Sequence, residues 1–169
     1  PDFTKHRMKP DGASGDHFDG ATFHNQVPIE HAGAARFLEW QLTAERGPWT
    51  PVPDAEPGPA PPERVDGGRL RVTFINHATT LVQMDGVNVL TDPIWSERSS
   101  PVDFAGPERY RPPGIRFDDL PPIDAVIISH NHYDHLARLA EAHAPRIYAG
   151  LGNAALFEQE GIARAVDLD

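Results

Sequence analysis

The chain has 169 residues, a net charge of −10 and no cysteine. That length gives room for one compact domain with a real core, and the lack of cysteine excludes disulfides, thiolate metal sites and a cysteine nucleophile. Two lysines, Lys5 and Lys9, stand against thirteen arginines, and so acidic a balance argues against general affinity for DNA or RNA.

No stretch approaches the roughly 18 to 20 apolar residues that a membrane span needs, and none resembles a signal peptide, so the compartment stays open. Residues 1–29 are polar and without a clear period, which predicts an irregular arm. Apolar positions at Ala34, Phe37, Leu38 and Leu42 predict a short amphipathic helix within Glu30–Arg46, stopped by Gly47-Pro48. Residues 47–62 hold seven prolines in sixteen positions and read as a stiff, unpacked connector. The expected organisation is therefore an arm with a helix and connector over residues 1–69, followed by a structured region over residues 70–169.

From Leu70 the texture changes. Leu70–His77 and Thr80–Met84 read as strands, Asp85-Gly86 as a hairpin turn and Val87–Thr91 as the returning strand. Asp92-Pro93 then opens a long loop, to about Pro122, of a length that is more often functional than idle. Ile123–Ser129 is a nearly continuous apolar run, as expected of a strand buried on both faces. Asp134–His143 has helical texture, Arg146–Ala149 that of a strand, and Asn153–Glu160 that of a helix stopped by Gly161. Ala163–Leu168 begins a further strand. Strand and helix in alternation predict an α/β layer structure.

The sharpest feature is His130-Asn131-His132-Tyr133-Asp134-His135. A pattern H-x-H-x-D-H arises by chance in a chain of this composition about once in 500. It also follows a buried strand directly, where ligands of open α/β sheets collect. His130 and His132 lie two apart in extended chain and can project to one side, while Asp134 and His135 reach the same pocket from the helix start. Singly, a strand-end histidine is usually a satisfied or surface residue, and Asp134 alone would be a helix N-terminal residue favoured by the dipole. Together the four read as metal ligands. Imidazole and carboxylate without thiolate suit zinc, with iron and manganese as the other candidates. Two ions would hold a bridging hydroxide, with Asp134 as the catalytic residue that binds one ion and orients the hydroxide.

Ser129-His-Asn-His-Tyr-Asp-His-Leu136 resembles the metal motif of the metallo-β-lactamase superfamily, and within it the N-acylphosphatidylethanolamine-hydrolysing phospholipase D branch and its bacterial relatives. His17-Phe-Asp-Gly, Phe23-His-Asn25, His77-Ala-Thr, Thr91-Asp-Pro93 and Gly106-Pro-Glu-Arg-Tyr-Arg-Pro-Pro113 are similar to that branch as well. The resemblance implies an αββα sandwich with a dinuclear zinc site, in which His130 and His132 bind one ion and Asp134 and His135 the other. It implies hydrolysis of a phosphodiester in a lipid-like substrate, with peripheral membrane contact. A lactonase or other ester hydrolase on the same fold is the alternative, and a non-catalytic metal- or partner-binding half-domain is the alternative of another class.

Two departures stand out. Ala137 stands where the branch usually has aspartate, which leaves the ligands untouched but weakens the substrate assignment. The resemblance also requires a third histidine, a bridging aspartate and a last histidine further on. No histidine follows His143, and Asp167 and Asp169 are in the wrong setting. Residues 70–169 are thus expected to be the N-terminal half of the hydrolase domain, completed by a C-terminal half of the same protein or by a companion chain.

Secondary candidates lie around this motif. His77 is a candidate for orienting a ligand or substrate, or else a capping or core histidine. Asp92 is a candidate for hydrogen bonding to a ligand histidine, or else the starter of an Asp-Pro turn. Arg109 and Arg111, with Arg98 and Arg116, are candidates for gripping a substrate phosphate, or else are solvated or paired with Glu97, Glu108, Asp118 and Asp119. Trp95, Phe104 and Tyr110 form an apolar wall for acyl chains or anchor the loop. His6, His17, His24 and His31 lack ligand-like spacing and are expected to be structural or at the surface.

Overall fold

The computed structural model describes residues 33–45, 47, 50–52, 55–98, 108–130 and 136–168, together with 19, 24, 25, 27 and 28. Pro51–Asp169 belong to one compact unit, and the described residues between Lys9 and Thr50 to another. Among the described residues no helix is long and apolar enough to cross a membrane. Most of the predicted arm lies outside the described residues. His24, one of its histidines, is exposed and sits 2.7 Å from Asp19 through Nε2.

In the smaller unit the predicted helix is α1 (Ala34–Thr43). Its first turn hangs on the carbonyl of Gly33, which accepts from the N–H groups of Arg36 and Phe37. Phe37, Leu38, Trp40 and Leu42 are all exposed.

The larger unit is built on a mixed six-stranded sheet whose spatial order follows the chain: β1 (Leu70–Asn76), β2 (Thr79–Met84), β3 (Val87–Thr91), β4 (Ala125–Ile128), β5 (Arg146–Gly150) and β6 (Ala165–Leu168). β1, β2 and β3 pair antiparallel. The β2–β3 turn is Asp85-Gly86, with φ of 48° and 75°, the left-handed pair that matches the twist of a two-residue hairpin. From β3 onward the pairing is parallel. Parallel neighbours need crossovers, and α2 (Leu136–His143) and α3 (Ala154–Gln159) supply those of β4–β5 and β5–β6.

Both helices serve one sheet face. Leu139 of α2 and Phe157 of α3 are fully buried against Leu81, Leu90, Val126 and Ile147. Fully burying a side chain of this size stabilises the fold by about 1.5–3 kcal/mol. The second half of the predicted long loop joins this core through Ile115, Phe117, Leu120 and Ile123. No described element covers the other face. Phe74, Thr80, Thr91, Ile127, Tyr148 and Val166 lie in one cross-strand row by register. Phe74 is 66% exposed and Ile127 46%. The apolar run of β4 is therefore buried on one face only, against the expectation of two, because no described element covers the second face.

The Pro-rich connector is in part tied to the sheet, contrary to expectation, with Ala55 and Pro57 half-buried and Pro61 buried while its other described residues stay exposed. Proline lacks an N–H but keeps its carbonyl, and the buried amides of the sheet use such acceptors. Gln83 Nε2 donates to Pro62 O at 2.8 Å and Asn88 Nδ2 to Glu63 O at 2.9 Å, while Pro61 and Val65 are buried. Gly58 N–H donates to Gly114 O at 2.7 Å, and Gly114 N–H to Ile75 O at 2.7 Å. Glycine at 114 suits this main-chain stack, since a Cβ there would crowd the carbonyl oxygens of Phe74 and Ile75 at 3.2 Å. Arg64 pairs with Asp124, and the bond from the Arg64 guanidinium holds the Asp124 carboxyl below the usual carboxylate range.

Candidate metal centre

The parallel register pairs Thr91 with Ile127, which sets the carboxyl ends of β3 and β4 side by side. One residue further, Asp92 N–H donates to Ile127 O at 2.9 Å, and Asp92 Oδ1 accepts from the backbone N–H of Ser129 at 2.8 Å. Ser129 Oγ lies 2.7 Å from Nδ1 of His130. His130 is exposed at the start of the turn that leaves β4. The carboxylate of Asp92 thus reaches the peptide just before His130 and braces its backbone. Among the described residues the Asp92 carboxylate bonds to the main chain beside His130 rather than to the ring of His130.

His132, Asp134 and His135 lie outside the described residues. Among the described residues no group of three or more histidine, aspartate and glutamate side chains is placed to hold a metal. The donor that is described, His130, is an exposed imidazole at the carboxyl edge of a parallel strand with a hydroxyl at its Nδ1, a chemistry and setting that suit a metal ligand.

His77 and Ala78 form the turn between β1 and β2, and His77 has a φ of 41° and is exposed. The turn is tied to the end of β3, where Thr91 Oγ1 donates to Ala78 O at 2.9 Å and Thr79 Oγ1 donates to Asp92 O at 2.6 Å. His77, Asp92 and His130 are therefore carried to one edge of the sheet. Thr79, fully buried, was missed in the sequence. Its only signal there was its place after His77-Ala78, since its burial follows from strand pairing.

The loop arginines divide. Arg109 directs Nε and a terminal nitrogen onto the carbonyl of Ser96, and its backbone N–H onto Glu97 O. Burial lowers the pKa of its guanidinium. Arg98 pairs with Glu108 and Arg116 with Asp119, as the pairing alternative expected. Arg111 is exposed and makes no hydrogen bond or ion pair among the described residues. Trp95 anchors the loop, donating Nε1–H to Ile115 O at 3.0 Å and meeting Phe117 edge-on at 5.5 Å. Tyr110 is 45% exposed, and Phe104 lies outside the described residues.

Two further titratable groups are accounted for by packing. His143, at the far end of α2, sits against Phe117 at 6.3 Å, and burial lowers its pKa. Asp167 accepts from the N–H groups of Gly152 at 2.9 Å and Ala154 at 2.7 Å, so its carboxylate caps the start of α3.

Residues 87–168 match the sequence model of the β-lactamase superfamily domain. An uncharacterized protein of Mycobacterium tuberculosis is 46% identical over 104 residues, covering 60% of this chain and 27% of the relative. The N-acyl-phosphatidylethanolamine-hydrolyzing phospholipase D 1 of Caenorhabditis elegans is 52% identical over 67 residues, covering 40% of this chain and 19% of the relative. A protein of Methanopyrus kandleri named as a metal-dependent hydrolase is 36% identical over 72 residues, covering 43% and 26%. The chain thus spans about a quarter or less of the length of these relatives. Over residues 87–168 the chain is thus similar to the β-lactamase superfamily domain, and its mixed α/β sheet with helices on one face agrees with that likeness.

Proposed function

We propose that the protein is a metal-dependent hydrolase whose ions are held by His130, His132, Asp134 and His135, and that the metal is zinc. The observation that carries this reading is the braced corner after β4, where Asp92 fixes the Ser129 peptide and Ser129 fixes Nδ1 of the first histidine of the motif. A bound divalent ion supplies Lewis acidity and lowers the pKa of a coordinated water to about 7. The chain's own part is to hold the donors at the carboxyl edge of the parallel strands and to orient Asp134 toward the reacting water. The substrate class we propose is a lipid-like phosphodiester, supported by the likeness to the nematode phospholipase D over 67 residues. Of the two arginines proposed to bind the phosphate, we favour the exposed Arg111, because Arg109 is occupied with Ser96.

The partner we propose is a second apolar layer, contributed by the C-terminal half of the same protein or by a companion chain. The sheet face that no described element covers supports it, since Leu70, Val72 and Phe74 stand exposed in alternation along β1, and contiguous apolar patches above a few hundred Å² are rare on soluble surfaces. In this reading residues 70–169 form the first half of the sandwich.

Phosphorus-detected hydrolysis of N-acylphosphatidylethanolamine by the zinc-loaded, full-length protein tests the function. Turnover abolished by His132→Ala supports the reading. Turnover of a lactone panel without phosphodiester hydrolysis would overturn the substrate class, and a protein without turnover of either would overturn the enzyme reading.

A further inference from the structure

We infer that Thr79 is a positioning residue for the corner that carries His130, an inference that rests on the metal-binding reading above. Asp92 has a φ of 35°, a region that residues other than glycine seldom occupy, and Pro93 after it disfavours a relaxed helical conformation. Such a backbone persists only where its surroundings determine it. Thr79 supplies that determination from the opposite strand. Its hydroxyl donates to Asp92 O at 2.6 Å and accepts from Ile94 N–H at 3.0 Å, spanning the two main-chain groups on either side of Pro93.

The direction of the Asp92 carboxylate follows from that backbone. The same residue is held by its own N–H on Ile127 O, and its Oδ1 ends on the N–H of Ser129. A chain of hydrogen bonds therefore runs from a fully buried hydroxyl of β2, through Asp92, to the peptide that precedes His130. Neighbouring ties act in parallel: Asn76 Nδ2 donates to Ile94 O at 2.9 Å, and Thr91 Oγ1 to Ala78 O. The Thr79 hydroxyl both donates and accepts on the two sides of Pro93. Serine can do the same. Valine, of nearly equal shape, can do neither and leaves a carbonyl and an N–H without partners.

The test measures zinc affinity by chelator competition and the melting temperature of the metal-free protein, both on the full-length chain. Thr79→Val is expected to weaken zinc binding about tenfold, the lower end of what outer hydrogen-bond partners contribute, and Thr79→Ser to restore it. Gln83→Met is the control. It removes two buried hydrogen bonds, to Pro62 O and Asn88 Oδ1, at a site tied to other segments, and is expected to lower the melting temperature while leaving zinc affinity intact. Should Thr79→Val not fold, Thr79→Ala is read in its place against Thr79→Ser. Wild-type zinc affinity in the valine variant would overturn the inference, as would equal weakening in Gln83→Met. If the wild-type protein binds no zinc, or His130→Ala binds it equally well, the metal reading itself fails and the inference with it.

Discussion

Replacing Asp92 by alanine removes two things at once, and three substitutions separate them. The carboxylate accepts the Ser129 N–H at 2.8 Å. A hydrogen bond to a charged group contributes about 1.5–3 kcal/mol when desolvated. Ser129 is exposed, so water recovers part of that and about 1 kcal/mol remains as the loss. The second effect is conformational. Aspartate tolerates a φ of 35° better than alanine does, and a left-handed residue costs roughly 1–2 kcal/mol where the side chain gives no local compensation. Asp92→Ala should therefore destabilise the full-length protein by about 2 kcal/mol. Asp92→Gly relieves the strain and loses only the acceptor, and should cost about 1 kcal/mol or less. Asp92→Asn keeps an acceptor and a side chain suited to positive φ, and should stay within about 1 kcal/mol of wild type. Urea denaturation with a common m-value reads all three. The order Asn, Gly, Ala from least to most damaging is expected. A glycine variant worse than alanine would refute the strain argument, and an asparagine variant as damaging as alanine would refute the role of the acceptor.

Other outcomes follow from the same geometry. Asp167→Ala removes the acceptor for two N–H groups at the start of α3 and should cost about 1 kcal/mol in urea denaturation, with zinc content unchanged. The Asp124 carboxyl is held below its ordinary value of 3.8 by Arg64. The unfolded chain thus takes up the proton first on acidification, and the stability contributed by the pair is full above that value and lost as pH falls through the folded one. Asp124→Asn should be less stable than wild type near neutrality and should flatten the acid limb of a stability–pH curve. Phe74→Asp should lower the stability of the full-length protein by about 3 kcal/mol if its sheet face is covered there; a change within about 0.5 kcal/mol, as at an ordinary surface site, would contradict the proposed second layer.

The parts of the fold that sequence alone conveys are those set by local pattern. Asp85-Gly86 marks its hairpin because only a left-handed pair joins two strands so tightly, and Gly161 ends its helix with a φ of 77°. The strands β3, β5 and β6 and the helix α3 fall within a residue or two of their expected spans. What depends on partners distant in sequence was not legible. The connector read as unpacked because its prolines lack donors, whereas its carbonyls serve Gln83 and Asn88 more than twenty residues away. The run Ile123–Ser129 could not reveal that only one of its faces is covered. The site divides in the same way. The histidine motif is visible in the sequence as a candidate for metal chemistry, and its first residue, His130, stands just after β4 as the pattern predicts. The bracing of its first residue by Thr79, Asp92 and Ser129 depends on β2–β3 and β3–β4 pairing, and the parallel β3–β4 register is encoded by no local pattern. His132, Asp134 and His135 stand as proposals on the strength of the motif and of the edge on which His130 is found.

The corner after β4 is proposed to hold divalent cations. Metal analysis of the purified full-length protein, wild type beside His130→Ala and His132→Ala, tests this most directly. About two ions per chain are expected in the wild type, with a clear loss in both variants. A metal-free wild type, or histidine variants that keep the wild-type metal content, would contradict the proposal.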